Sequence, residues 1–165
     1  MSEPTPATRT VASTQSEMTE IILPNDTNPL GHLLGGRLMH FIDLTGAMAA
    51  YRHARTYVVT AAMDHIDFVR PVHLGDLVRL QSSVNRAFNT SMEVGVRVET
   101  ENLLTGGVHH TASAYLSFVA LDNHGHPTEI PALILETESD KRRNRQAQAR
   151  REMRLRKRQS EEKAK

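Results

Sequence analysis

Residues 24–55, PNDTNPLGHLLGGRLMHFIDLTGAMAAYRHAR, change from a glycine-rich loop to a long helix. Proline, asparagine and glycine recur through residues 24–36, and these residues break regular secondary structure. Residues 37–55 contain no proline, and apolar or small residues recur there at intervals of three and four. This spacing predicts one long helix, in which small residues around Gly46 would allow close packing beneath a sheet.

Strand patterns lie on both sides of this helix. Residues 17–23 are a first strand candidate, and beyond the helix the apolar period changes from that of a helix to that of a strand. Four further strands are predicted, at residues 57–68, 77–88, 91–101 and 110–120. Because strands and helices do not alternate, we expect one antiparallel sheet with the long helix covering one face, an α+β protein.

The two ends of the chain differ in composition from this central part. Residues 1–16 are rich in Thr, Ser, Pro and Ala without apolar periodicity, which predicts a disordered tail. Residues 17–136 hold the predicted sheet and long helix. Residues 137–165 are predicted to form a basic C-terminal helix, because Thr137 with Asp140 three residues later approximates a capping box. One helix covers the ends of the sheet poorly, so a dimer at minimum is expected.

The net charge of +1 conceals two opposite parts. Residues 1–140 hold 8 arginines, no lysine and 16 carboxylates, a net charge of −8, whereas residues 141–165 hold 12 basic residues and 3 glutamates, a net charge of +9. This asymmetry is one sign of nucleic-acid contact, but the tail has no aromatic side chain on which bases could stack. Either the tail is a solvated helix, or it lies on the acidic body or on a polyphosphate ligand.

Composition and motifs exclude several classes of protein and site. The length of 165 residues fits one globular domain, and without Cys there is no disulfide, thiolate nucleophile or Cys-bound zinc. No apolar run approaches the roughly 20 residues of a membrane helix, and no secretory signal pattern is present, so a cytoplasmic protein without membrane contact is expected. The Gly-x-Ser-x-Gly and His-Glu-x-x-His motifs are absent, and the nine histidines suggest no metal site.

Two features near the start of the helix could support chemistry. Gly35 and Gly36 precede it, where free backbone N–H groups and the helix dipole can stabilise an oxyanion; the alternative is a plain loop with a glycine N-cap. Asp43 lies about two turns into the helix between apolar neighbours. It is either an exposed helix aspartate or a general base or nucleophile. His32 is the only histidine placed near this loop.

Six motifs in a fixed order resemble the acyl-coenzyme A thioesterases of the hotdog fold. They are DTN at 26–28, GGRLM at 35–39 with Asp43, VTAAMD at 59–64, FVRPV at 68–72 with Gly75-Asp76, TSMEV at 90–94, and ASA at 112–114 with FV at 118–119. The resemblance covers residues 17–158 and is closest to the cytosolic long-chain and broad-range acyl-CoA hydrolases. It implies a sheet wrapped around the long helix, followed by a basic C-terminal helix.

The resemblance also implies a reaction, its residues and an assembly. Two protomers would join their sheets edge to edge, and a trimer of such dimers is common among relatives. Asn28 of one subunit would meet Asp43 of the other. Asp43 would activate water or attack the thioester, Asn28 would position the water or the carbonyl, and N–H groups near Gly35 and Gly36 would hold the oxyanion. The products would be a free fatty acid and CoA, and no cofactor would be needed beyond the coenzyme A of substrate and product.

Coenzyme A carries phosphates, so cationic and hydrogen-bonding partners are expected. The candidates are Thr60, Arg86, Ser91, Lys141, Arg142 and Arg143. Two other functions stay open: an aryl- or hydroxyacyl-CoA thioesterase, and a non-catalytic acyl-CoA-binding regulator whose basic tail contacts nucleic acid. The presence of both Asn28 and Asp43 favours the enzyme, since a pure binder needs neither.

Overall fold

A computed structural model describes residues 8–165, apart from the side chain of His65. Seven strands and three α-helices follow one another along the chain. They are β1 (Thr8–Thr10), α1 (Val11–Thr14), β2 (Ser16–Ile21), α2 (Gly35–Ala54), β3 (Tyr57–Phe68), β4 (Leu77–Ala87), β5 (Ser91–Glu101), β6 (Val108–Leu121), β7 (Ala132–Ile134) and α3 (Glu138–Lys163). A short 3₁₀ turn, Pro24–Asp26, opens the loop that leads to α2.

Five strands form one antiparallel sheet in the order β2-β4-β5-β6-β3, and α2 covers its inner face. Strand residues alternate between the two faces, so partners in neighbouring strands share a face. Leu80, Val98 and Ala112 are such partners across three strands, and all are fully buried beneath α2. The predicted α+β class and the antiparallel sheet around one long helix are therefore confirmed.

Helix α2 is close to the sheet because its buried side is built from small residues as well as large ones. Leu38 and Ile42 fill the space near its first half, and Ala49 and Ala50 are fully buried in its second half. At Gly46 an added Cβ would lie 3.4 Å from the ring of Phe118, tighter than most such contacts. The helix begins at Gly35, two residues before its predicted start.

The predicted disorder of residues 1–16 is wrong for residues 8–16, while residues 1–7 lie outside the described part of the chain. Strand β1 pairs in parallel with β7, and Val11 of α1 is buried. The hydroxyl of Thr14 accepts a hydrogen bond from the N–H of Val84 at 3.0 Å. These partners are 70 residues or more away in the chain, so local composition gave no sign of them.

Helix α3 begins with the predicted capping box. The Thr137 hydroxyl accepts from the N–H of Asp140 at 3.0 Å, and the Asp140 carboxylate accepts from the N–H of Thr137 at 3.1 Å. Ala147, in the middle of the helix, is fully buried. Across residues 8–165, no helix combines the length and the apolar character that crossing a bilayer requires.

His53, in the last turn of α2, is fully buried and connects the helix to the segment before β7. Its Nε2 lies 2.8 Å from the Pro131 carbonyl oxygen, and its own carbonyl accepts from Nε of Arg9 at 2.7 Å. Burial lowers the pKa of His53; the bond to Pro131 opposes this effect, and the charge of Arg9 adds to it. The folded protein therefore favours the neutral imidazole.

We expect this histidine to make the protein less stable in mild acid. Below the ordinary pKa of histidine the unfolded chain binds a proton that folded His53 resists. The contribution of neutral His53 to the free energy of unfolding is therefore fully present above that pKa. Below it, the free energy of unfolding falls with decreasing pH by up to about 1.4 kcal/mol per pH unit. His53→Gln, which keeps a donor for Pro131 but does not titrate, should lose this part of the dependence. Urea unfolding between about pH 5 and 8 measures both slopes; equal slopes would contradict the assignment.

Candidate active site

Asp43 and Thr60 meet where α2 passes the edge strand β3. The Thr60 hydroxyl donates a hydrogen bond to Oδ1 of Asp43 at 2.6 Å. Thr60 pairs with Phe118 of β6, and Val58, two residues earlier, pairs with Ala120 in the same regular register; the bulge at Ala61 comes only after Thr60. Thr60 therefore shares the inner face with the buried Phe118 and points towards the helix. The structure brings together two of the residues predicted for the site.

The surroundings of this pair are open and apolar. Asp43 is half-buried, and Thr60 is exposed. Large apolar side chains nearby on α2 and β3 remain accessible, with Met39, Leu44 and Val59 each more than 40% exposed. Among the described residues Thr60 is the one donor to the Asp43 carboxylate, so Oδ2 is free to bind water or a substrate. A carboxylate oriented by one hydroxyl and facing apolar surface is suited to act as a base or nucleophile.

The loop before α2 is fastened to the helix by Asp26. Its Oδ2 accepts from the N–H of Leu23 at 3.0 Å, and its Oδ1 accepts from Nε of Arg37 at 2.8 Å. Its carbonyl accepts from the N–H of Leu34 at 2.8 Å. The loop that carries Asn28 is thus held at both ends.

The two polar atoms of the Asn28 side chain differ: the oxygen accepts hydrogen bonds within the loop, and the nitrogen donates none there. Its Oδ1 accepts from the N–H groups of Leu30 at 2.9 Å and His32 at 3.1 Å, which closes the turn in the loop. Its amide nitrogen has no acceptor among residues 8–165, so it remains free to donate. Within a single chain Asn28 and Asp43 form no hydrogen bond with each other.

Gly35 and Gly36 are the first two residues of α2. No side chain caps this helix start, and neither glycine N–H has an acceptor within the described residues. Neither glycine has a positive φ, and an added Cβ would meet nothing within 4 Å at Gly36 and only the Phe68 ring, at 3.8 Å, at Gly35. Backbone strain and crowding therefore do not require glycine here. An open helix N-terminus with free donors fits the predicted oxyanion site.

The remaining candidates for binding coenzyme A are dispersed. Arg86 donates to Oδ1 of Asn144 at 2.5 Å beneath α3, and Lys141 forms an exposed ion pair with Glu138 at 3.0 Å. Ser91 opens β5, and its carbonyl accepts from the N–H of Phe88. Arg142 and Arg143 are exposed and line a cleft on the outer face of the sheet. None of these five makes a hydrogen bond to Asp43.

A buried ion pair that the sequence did not suggest holds α3 on the outer face of the sheet. Glu93 is only 1% exposed. Arg150 donates to it through Nε at 3.0 Å and through Nη2 at 2.6 Å, and Nδ2 of Asn85 donates to the same carboxylate at 3.0 Å. The Arg150 guanidinium also lies 3.6 Å from the centroid of the Tyr115 ring.

The buried position of Arg150 beside Glu93 changes its pKa. Burial by itself lowers the pKa of Arg150, but the hydrogen bonds and the charge of Glu93 outweigh it and raise the pKa. In the sequence Glu93 appears as one more polar residue on an alternating strand. Only its position opposite a basic helix some 57 residues later distinguishes it.

Comparison with known proteins identifies the family. Residues 30–106 match the family model described as the thioesterase superfamily. The acyl-CoA thioester hydrolase YkhA of Bacillus subtilis (strain 168), itself uncharacterized, is 41% identical over 136 residues, which cover 82% of this chain and 79% of that protein. The chain belongs to the acyl-CoA thioesterases. It is accordingly a thioester hydrolase by family, and the resemblance found in its sequence motifs is confirmed.

Solved thioesterase structures share the whole fold. An acyl-CoA hydrolase from Staphylococcus aureus, in complex with butyryl coenzyme A and coenzyme A, superimposes with a TM-score of 0.88 at 31% identity, covering 95% of this chain and 96% of that one. Other structures of that enzyme carry alanine in place of Asp43, Asn28 or Thr60. The cytosolic acyl coenzyme A thioester hydrolase of Rattus norvegicus is 31% identical over 140 residues, and this chain spans 37% of its length.

Loss of the Arg150 side chain should destabilise the thioesterase strongly. Arg150→Ala would leave the Glu93 carboxylate buried without its cation, which costs about 3 kcal/mol or more. Arg145→Ala is the matched control, because Arg145 is exposed on the same helix and should change stability by less than about 0.5 kcal/mol. Urea unfolding at neutral pH measures both. Equal stability of the two variants would show that Glu93 does not depend on Arg150.

Proposed function

We propose that this thioesterase hydrolyses fatty acyl-CoA to a free fatty acid and CoA, with Asp43 as its general base or nucleophile. The hydrogen bond from Thr60 to Asp43 is the observation that carries the proposal. It orients a carboxylate at an open apolar edge and leaves one oxygen free. The S. aureus hydrolase supports it. Structures of that enzyme were solved with alanine in place of its own Asn28, Asp43 or Thr60, and the same residue types stand at positions 28, 43 and 60 of this chain.

The chemistry follows from these groups. As a base, Oδ2 of Asp43 takes a proton from water while the water oxygen attacks the thioester carbonyl. As a nucleophile, the same oxygen attacks the carbonyl, and water then opens the resulting anhydride. In both routes the N–H groups of Gly35 and Gly36 stabilise the oxyanion. The CoA thiolate leaves without a strong acid, because thiols are far more acidic than alcohols. The reaction as proposed uses no metal or other cofactor.

The active site would be completed by a second subunit. Strand β3 is an edge strand of 12 residues, hydrogen-bonded in the sheet to β6 alone. A long exposed edge is a template for pairing with another chain. Pairing two β3 strands would bring Asp43 near the loop of the partner subunit, where the free amide nitrogen of Asn28 could donate to the substrate carbonyl or to water.

Relatives support a larger assembly and a location. A hexameric apo acyl-CoA thioesterase superimposes with a TM-score of 0.87 at 39% identity, covering 91% of this chain and 96% of that one. We infer a homo-oligomer built from edge-paired dimers, most simply a trimer of dimers. Rodent relatives carry the description cytosolic, which supports a cytoplasmic location for this chain.

Replacing the proposed base should abolish turnover without unfolding the protein. Asp43→Asn should lower kcat by about 100-fold or more, as loss of a general base typically does. Thr60→Ala should lower kcat less, by roughly tenfold, because the carboxylate stays but loses its orienting donor. Glu162→Gln, an exposed change of the same kind in α3, serves as control. Release of free thiol from acyl-CoAs of graded chain length measures the rates. Near-normal turnover by Asp43→Asn would remove this residue from the mechanism.

Mixed oligomers test whether the site spans two subunits. Asn28→Asp keeps the oxygen acceptor of the turn and removes the amide donor, so it should fold normally and turn over poorly. Co-expression with Asp43→Asn would give dimers in which one of two sites holds both native residues. Random pairing then restores about a quarter of wild-type activity. If both residues act within one chain, co-expression restores nothing, even though each variant alone is equally inactive.

A further inference from the structure

A second turn, formed by residues 73–76, lies against the loop that carries Asn28. Two backbone hydrogen bonds join the loop to this turn, from the N–H of Leu74 to the carbonyl of Gly31 at 2.9 Å and from the N–H of Leu33 to the carbonyl of Val72 at 2.7 Å. Between these bonds, His32 and His73 are antiparallel partners. Loop and turn therefore form a short two-stranded ladder, to which the proposed hydrolysis assigns no role.

His32 connects this ladder to Asn28 through its backbone. Its carbonyl accepts from the N–H of Asn28 at 2.8 Å, and its own N–H donates to Oδ1 of Asn28 at 3.1 Å. In an antiparallel ladder the polar groups of successive residues point to opposite sides. Those of His32 accordingly face Asn28, while its two neighbours bond to the turn. Because a carboxamide is planar, holding Oδ1 also limits where the amide nitrogen of Asn28 points.

The rings of His32 and His73 make the side-chain contact across the ladder. Their centroids lie 4.9 Å apart, and their planes are nearly perpendicular at 88°. Edge-to-face packing is a preferred arrangement of aromatic rings, and cross-strand pairs stabilise the pairing of the strands that carry them. The side chain of His73 is 59% exposed. Its ring therefore supports the loop without being part of the core.

The turn is itself fastened to the core by Asp76, which is buried. Oδ2 of Asp76 accepts from the N–H of His73 at 2.9 Å, and the N–H of Asp76 donates to the carbonyl of His73 at 3.0 Å. The carbonyl of Asp76 also accepts from the N–H of the buried Ile22 at 2.9 Å. Gly75, with a φ of +87°, allows the tight turn. His73 thus has a rigid base from which its ring contacts the loop.

We propose that His73 is a positioning residue for Asn28: its ring holds His32, and His32 holds the Asn28 carboxamide in the orientation that the reaction needs. The inference rests on the proposed function, in which the amide of Asn28 donates to the substrate carbonyl or to water. Asn28 lies in a loop, so its position depends on the ladder rather than on a helix or strand of its own. A misplacement of about 1 Å is enough to lower the rate of an enzyme strongly.

Replacing the ring of His73 should lower turnover and leave substrate binding unchanged. His73→Ala removes the ring contact and keeps the backbone bonds of the turn, so kcat should fall about fivefold while KM stays within about twofold. A donor that acts in the transition state affects kcat rather than KM. His73→Phe keeps an aromatic ring and should restore kcat to within about twofold of the wild type. Release of free thiol from acyl-CoA by the full-length oligomer measures both constants.

His126→Ala is the matched control. His126 also lies in a turn beside an aspartate: its Nδ1 is 3.8 Å from Oδ2 of Asp122, as Nδ1 of His73 is 3.7 Å from Oδ2 of Asp76. Within residues 8–165, no hydrogen bond or ring contact joins His126 to the loop of Asn28. Both kcat and KM of the control should stay within about twofold of the wild type.

A double variant separates positioning from a general loss of structure. In Asn28→Asp the amide donor is already absent, so adding His73→Ala should change kcat by less than about twofold. A further fivefold loss, of about the size seen in His73→Ala alone, would show that His73 acts through other residues and would overturn the proposal. Wild-type turnover by His73→Ala, or failure of His73→Phe to restore turnover, would overturn it as well.

Hydrogen exchange follows the loop without any turnover. The N–H of His32 is protected by Oδ1 of Asn28, so peptides covering residues 28–34 should exchange about fivefold faster in His73→Ala and at the wild-type rate in His126→Ala. Unchanged exchange in His73→Ala would contradict the proposal. Normal turnover by Asn28→Asp would instead contradict the proposed function at Asn28. Faster exchange in His73→Ala would then still support the contact between the two histidines, so the two failures are distinct.

Discussion

Close packing of α2 against the inner face of the sheet is the constraint on which the rest of the structure depends. The helix can approach because Gly46 places no atom between it and the ring of Phe118. Once the helix is seated, its fully buried polar side chains, Thr45 and His53, bond to the backbone carbonyl oxygens of Phe41 and Pro131. Asp43 lies where the helix passes the edge strand β3, and Thr60, which shares the inner face with Phe118, donates a hydrogen bond to it. The position of the Asp43 carboxylate is therefore a consequence of core packing.

On the outer face of the same sheet, a charged side chain is buried and must be neutralised. Its strands present polar residues, and Glu93 among them is buried once α3 lies over it. A buried carboxylate must have a charged or hydrogen-bonding partner, and Arg150 and Asn85 supply one each. The two faces thus separate two kinds of chemistry. The inner edge combines a carboxylate with apolar surface, and the outer face combines arginines with hydroxyls.

Local patterns predicted most of the fold. The period-2 alternation of residues 91–101 and the proline-free stretch after residue 36 gave β5 and α2 nearly to the residue, because each element buries one regular face. Residues 8–16 were missed because their order comes from β7 and from Val84, which lie far away in the chain. Asp43 could be singled out as a carboxylate on an apolar helix. Its bond to Thr60 could not, since this bond depends on where α2 crosses β3, and Thr60 lies 17 residues further along the chain.

The basic tail shows how far charge alone can predict structure. Arg150, Arg154 and Arg158 follow one another at four-residue spacing, where like charges destabilise an isolated helix. The sheet removes the conflict for two of them: Arg150 pairs with Glu93 and Arg154 pairs with Asp64. Arg158 and the residues after it remain exposed. The sequence left two alternatives for the tail, a helix lying on the acidic body and a solvated helix. Each alternative describes one part of α3. The helix contacts the sheet where Glu93 and Asp64 neutralise its arginines, so the net charges of −8 and +9 belong to one folded unit whose two parts stabilise each other.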